Sequence, residues 1–250
     1  MTIRKIFTII FLLCILGGCK TTEIVHQPEI SVPAKTKHFK IVEEDDPYPS
    51  VGSILNETGR LIGSGILIES NIVLTAGHVA DSPRRAFSFF IGEEEILIDY
   101  VILHPKYNLN KKVSNDVALV FLACDSIYPP AQLQEPNDIL FQGAILTTVG
   151  YGGGEKRYSL PNTFWYYGVL IDQPSQIKWL PISATIWFGD SGGAVFCSFG
   201  GERKVVGIIS SLSFCADGPY ENSATSVQYF YDWIMEVING KGRESIIIVK

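Results

Sequence analysis

Short apolar, β-branched runs broken by Gly, Asn, Pro and Ser turns fill the chain from about Tyr48 onward. Strands are predicted over 51–56 (VGSILN), 60–69 (RLIGSGILIE), 72–76 (IVLTA), 85–92 (RAFSFFIG), 94–104 (EEILIDYVILH) and 116–122 (DVALVFL). A polar, Pro-containing stretch at 125–139 separates these from a second set at 145–152, 163–171, 177–182, 193–199 and 204–214. One amphipathic helix is predicted at 226–238, where Val227, Phe230, Tyr231, Ile234 and Ile238 recur at helical spacing. Two sets of five or six strands about a linker predict an all-β fold of two small antiparallel barrels packed together, with a terminal helix. A single large sandwich is the alternative. No internal repeat is evident.

The first 47 residues follow different rules. Arg4 and Lys5 precede the apolar run IFTIIFLLCIL, too short and too one-sidedly flanked for a membrane span. Leu16-Gly17-Gly18-Cys19 follows, and this order resembles the bacterial lipobox, in which cleavage before the cysteine precedes its lipid modification. The alternative is an ordinary secretory leader. The resemblance implies a signal peptide over 1–18, lipid on Cys19 and a place in the cell envelope. Lys20 is not the aspartate that commonly retains such proteins at an inner membrane, so an outer membrane is implied where one exists. Residues 19–47, with scattered Pro, Lys, Glu and Asp, read as a tether or propeptide whose cleavage would release the rest. The folded domain is expected over 48–240, with barrel one at about 48–128, barrel two at about 140–225, and a tail at 241–250.

Composition narrows the partners. An apolar fraction of 46% against 18% charged residues is that of a globular domain. A net charge of −6 without a basic block argues against nucleic acid. No Cys/His spacing suggests a metal, no cofactor is expected, and a monomer is the simplest expectation. Setting aside Cys14 and Cys19 leaves Cys124, Cys197 and Cys215, an odd number that permits at most one bridge. Cys197–Cys215 is the nearer pair, and sequence does not decide whether it forms.

The chemistry turns on histidine order. Gly189-Asp190-Ser191-Gly192-Gly193 satisfies G-x-S-x-G, the nucleophile elbow of α/β-hydrolases, but that fold needs a histidine after its serine. The four histidines, His26, His38, His78 and His104, all precede Ser191, which rules the elbow out. The order histidine, acid, serine is available instead. His78 follows the strand IVLT, Asp116 opens the strand DVALVFL, and Ser191 sits among glycines that allow a sharp turn with N–H groups pointing inward. A weak nucleophile, a base and an orienting carboxylate are what acyl transfer needs.

These residues resemble the chymotrypsin/trypsin-like serine proteases. LTAGH (74–78), NDVALV (115–120) and GDSGG (189–193) carry the match, supported by His104–Asn108, Val149–Gly152, Gly207–Ser210 and Asp232–Ile234. The resemblance spans roughly residues 41–240. It implies a double barrel of two six-stranded sheets with the cleft between them. His78 would be the general base, Asp116 its orienting acid and Ser191 the nucleophile, with an oxyanion hole from the N–H groups of Gly189 and Ser191. Ser210 would support the aspartate and align substrate. Thr185 stands where an acid binds Lys or Arg in trypsin-like members, and Leu212 where glycine opens the pocket. A shallow pocket for a small or medium apolar side chain is therefore implied. Lys40-Ile41-Val42 resembles the activation junction, so a cut after Lys40 would let the Ile41 ammonium pair with Asp190; Glu43 and Glu44 depart from the usual glycines. The alternative function is a catalytically silent, protease-fold lipoprotein that binds or scaffolds.

Overall fold

A computed structural model describes residues 39–42, 45–82, 84–108, 115–141, 143–159, 164–166, 175–181, 186–213, 221–240 and 248–249. Six strands close the first barrel: β2 (Val51–Leu55), β3 (Leu61–Glu69), β4 (Ile72–Thr75), β5 (Ser88–Ile91), β6 (Glu94–Leu103) and β7 (Ala118–Leu122). Antiparallel pairing runs β5–β2–β3–β4–β7, and β6 pairs with both β5 and β7 to complete the ring. A two-residue strand, β15 (Ile248–Val249), adds to β6. Each predicted strand of this set is present, trimmed by one to three residues at its ends. β7 is buried along its whole length, which explains why ALVFL reads as a continuous apolar run rather than an alternation.

The second sheet has eight strands in the order β1-β9-β8-β12-β13-β14-β11-β10. Five were legible as apolar runs: β8 (Thr147–Gly150), β10 (Phe164–Tyr166), β11 (Gln176–Pro181), β12 (Ala194–Phe199) and β13 (Glu202–Ser213). Three were not: β1 (Phe39–Ile41), β9 (Arg157–Ser159) and β14 (Glu221–Ser226). β14 is the polar string ENSATS, yet it lies between β13 and β11 with five of its six residues buried. Its ladder hydrogen bonds, and side-chain bonds such as Ser211 Oγ with Ser223 Oγ at 2.7 Å, replace the apolar pattern.

The tether boundary needs correction. The expected tether over 19–47 already contributes β1, whose Ile41 pairs with Arg157 and whose Phe39 pairs with Ser159. Farther on, the Asp46 carboxylate accepts from Lys156 Nζ at 2.5 Å, and Arg203 lies over the Tyr48 ring at 4.4 Å. The folded body therefore begins by Phe39, held by a strand pairing that three residues cannot advertise in sequence.

The terminal helix, α2 (Val227–Ile238), starts one residue later than expected because Ser226 is its N-cap, its hydroxyl accepting from Tyr229 N. Val227, Phe230, Ile234 and Val237 are its buried stripe. His104 docks against it, with ring centroids 5.0 Å from Phe230 and 4.9 Å from Trp233 in edge-on geometry. Burial, with the Lys106 charge adding to it, pulls His104 down to about 4, so it is a neutral packing residue.

Candidate active site

His78 lies in a single helical turn, α1 (Gly77–Ala80), entered straight from the end of β4. Ala76, at the N-cap, offers no side-chain acceptor to the turn. Asp116 supplies one from a distance: its Oδ1 accepts the His78 backbone N–H at 2.8 Å. Its Oδ2 meets His78 Nδ1 at 2.8 Å and accepts from Ser210 Oγ at 2.5 Å. One carboxylate thus fixes both the backbone and the ring of His78. An ionised carboxylate can only accept, so Nδ1 carries the hydrogen and Nε2 is left able to take a proton. Asp116 is 3% exposed. Burial pushes its carboxyl up, but the hydrogen bonds and charge of His78 and the Ser210 hydroxyl outweigh this and hold it below the usual carboxylate range.

Local backbone sets that carboxylate. Asn115 has φ of 56°, a left-handed conformation that Asn tolerates better than most residues, and its Nδ2 bonds Lys106 O at 3.1 Å. The Asp116 carbonyl accepts from Thr225 Oγ1 on β14 at 2.9 Å. Asp116 precedes β7 of the barrel while Ser210 and Thr225 belong to the second sheet, so its position depends on both sheets being docked.

The loop carrying Ser191 is bound to the barrel through Ser64 on β3. Ser64 N donates to Ser191 O at 2.7 Å, and Ser64 Oγ donates to Gly189 O at 2.7 Å while accepting from Tyr151 N at 3.0 Å. Gly192 N donates to Ile209 O, and Ile209 N returns to Gly193 O. Gly189 and Gly192 adopt φ of 100° and 84°, and a Cβ on Gly192 would overlap Ser64 O and Thr75 Oγ1. The Phe188 carbonyl accepts from Gly153 N at 3.3 Å, so the trans peptide turns the Gly189 N–H the opposite way. Among the described residues, neither Gly189 N nor Ser191 N has an acceptor. α1 and this loop converge at Gly63, where a Cβ would sit 2.6 Å from Val79 and 2.9 Å from Ser191 O.

A family model described as Trypsin matches residues 42–234. The chain belongs to the trypsin family. Granzyme M of Rattus norvegicus is 29% identical over 223 residues, covering 76% of this chain and 84% of that protein. A trypsin of Phaedon cochleariae is 29% identical over 204 residues, with 69% and 77% coverage. Vitamin K-dependent protein C of Oryctolagus cuniculus is 25% identical over 79% of this chain, which spans only 50% of that protein.

Within this trypsin-family domain the remaining expected residues have different fates. Ser210 is buried and bonds Asp116 as described. Leu212, also on β13, is half-buried and pairs across the ladder with Asn222. Asn222 is fully buried, and among the described residues neither amide atom has a partner, a polar group that the sequence did not single out. Thr185, Cys19 and Cys215 lie outside the described residues. Cys197 is a buried free thiol and Cys124 an exposed one.

The expected pairing of Asp190 with an Ile41 ammonium belongs to a chain cut after Lys40, and the uncut chain holds both residues differently. In the uncut chain Ile41 is the last residue of β1, 40% exposed and paired with Arg157. Asp190 is 2% exposed and its ion-pair partner is Arg157, at 2.6 Å from Nη2 to Oδ2. Arg157 and Ser64 are two of the contributors that sequence reasoning missed. Each lies far from Ser191 in the chain, and neither stands in a recognisable motif.

Proposed function

We propose that the chain is a serine endopeptidase in which His78, Asp116 and Ser191 act as the triad. His78 Nε2 takes the Ser191 proton as Oγ attacks the scissile carbonyl, then returns it to the leaving amine. Asp116 keeps the imidazole in the required tautomer and stabilises its positive charge. The N–H groups of Gly189 and Ser191 receive the oxyanion. Water then releases the acyl group by the same proton route. The observation that carries this reading is the paired contact of Asp116 with both the backbone and Nδ1 of His78, inside a domain of the trypsin family.

Substrates are protein or peptide chains. A small or medium apolar side chain beside the scissile bond is the preferred class, resting on a neutral Thr185 and on Leu212 in place of a smaller residue. The enzyme acts as a monomer in the cell envelope, anchored through lipid on Cys19, a reading supported by the LGGC order after a short apolar leader.

The decisive experiment is labelling with a fluorophosphonate together with hydrolysis of apolar peptide esters. Wild type should label at Ser191, and Ser191→Ala should lose on the order of 10⁴–10⁶ in kcat. A folded protein that neither labels nor hydrolyses would favour the silent binding or scaffolding alternative.

A further inference from the structure

Asp190 sits directly before Ser191, and among the described residues its carboxylate receives three hydrogen bonds. Oδ1 accepts from Gly152 N at 2.6 Å; Oδ2 accepts from Trp187 N at 2.7 Å and from Arg157 Nη2 at 2.6 Å. The space is full. A Cβ on Gly152 would overlap both the Asp190 carboxylate and the Arg157 guanidinium, and one on Gly150 would lie 2.7 Å from Asp190 Oδ1. A carboxylate this deeply buried needs a compensating cation, and Arg157, itself with a side chain only 12% exposed, is that cation.

Arg157 is in turn held by the N-terminal strand. β9 lies between β8 and β1, with Gly150 and Ile41 as the two cross-strand partners of Arg157. Phe39 is the diagonal neighbour on the same face of the β1–β9 ladder, and the guanidinium lies 4.2 Å from its ring centroid. Val42 N donates to Lys156 O at 3.0 Å and extends the pairing past Ile41. The Lys40–Ile41 bond therefore falls inside the element that seats Arg157. A cut there separates Phe39 from the ladder and creates an ammonium next to a site whose single carboxylate already has its cation.

We propose that Arg157, stacked on Phe39, is a built-in positioning residue that holds the Asp190–Ser191 loop in working shape, so the uncut chain is active and scission after Lys40 lowers its activity. This rests on the serine endopeptidase reading. It reverses the order of events in which a cut creates the ion pair: here the pair exists first, and the cut removes its support.

The test uses the full-length chain, Arg157→Ala, Arg157→Lys, Phe39→Leu and Ser191→Ala, each before and after limited digestion with a lysine-specific protease mapped by N-terminal sequencing. Active-site titration with a fluorophosphonate, kcat and KM on a peptide ester, and thermal unfolding are read together. The uncut wild type should titrate near one equivalent. Arg157→Ala should lose about 10²-fold in kcat/KM, as expected when oxyanion donors are disordered. Arg157→Lys should recover part of this, and added ethylguanidinium should restore activity to Arg157→Ala alone, a rescue that a purely structural role would not produce. Phe39→Leu, which keeps an apolar side chain, should give a smaller loss, and it decides the matter if Arg157→Ala fails to unfold cooperatively. Wild-type activity in folded Arg157→Ala or in Phe39→Leu, or a chain that titrates only once it begins at Ile41, would overturn the inference while leaving the endopeptidase reading intact. No titration in any form, with Ser191→Ala indistinguishable from wild type, would overturn both.

Discussion

Ser64 Oγ donates to the carbonyl of Gly189 at 2.7 Å across a sequence separation of 125 residues. The same oxygen accepts from Tyr151 N at 3.0 Å, so one hydroxyl in the first barrel joins two loops of the second sheet. The peptide units on either side of the Gly189 N–H are tied elsewhere, Phe188 O to Gly153 and Gly189 O to Ser64, which is the arrangement the proposed oxyanion donor needs.

Ser64→Ala leaves a carbonyl and an N–H without partners at a half-buried junction. We expect a destabilisation of about 1–3 kcal/mol and a fall in kcat larger than the change in KM, since the oxyanion donors matter most in the transition state. Chemical denaturation and steady-state kinetics on a peptide ester check this. A proportional rise in KM with kcat intact would mean that Ser64 supports binding rather than the oxyanion loop.

Asp116→Asn preserves shape and reverses hydrogen-bonding character at one oxygen, so Nδ1 of His78 meets a donor where it now meets an acceptor. The expected loss in kcat is on the order of 10⁴. Ser210→Ala removes one of the groups that hold the Asp116 carboxyl down, so its pKa should rise. A carboxyl with a depressed folded-state pKa adds stability above its unfolded value, near 3.8, and that stability is lost as pH falls through the folded value. Acid unfolding of Ser210→Ala should therefore begin at higher pH than in wild type, as followed by near-UV circular dichroism. Coincident acid transitions would contradict the assignment.

Gly192→Ala meets two obstacles, a φ of 84° and an overlap with Ser64 O and Thr75 Oγ1. Backbone strain alone costs about 1–3 kcal/mol, and the overlap adds to it. The variant should unfold at lower denaturant concentration and label poorly at Ser191. Wild-type labelling would show that the loop can move aside without consequence.

His104 adds a separate acid sensitivity. Its folded pKa, about 4, lies below the unfolded value of 6.5, so between these pH values the unfolded chain binds a proton that the folded chain refuses. Folded stability falls as pH drops through that window. His104→Phe, which keeps an aromatic ring against Phe230 and Trp233, should lose less stability than wild type between pH 7 and pH 5 in urea titrations. Equal losses would assign the acid sensitivity to other groups.

The strands of the first barrel and the terminal helix were legible because their residues bury one face, or all faces, and so carry the period or the run in their own composition. LTAGH, NDVALV and GDSGG were legible because the chemistry confines residue types to short local turns. By itself the sequence determined this much: an all-β chain with histidine, acid and serine in an order that excludes the α/β-hydrolase elbow. Tertiary structure decided the rest. β1 and β9, three residues each, exist because a neighbour pairs with them, and β14 is polar because ladder and hydroxyl bonds satisfy it in place. Asp190 could have taken its cation from a new chain end or from any basic side chain, and nothing near it in sequence chooses between them. Arg157 wins from 33 residues away because β9 carries it beside a buried carboxylate that must be neutralised, with Phe39 closing over it.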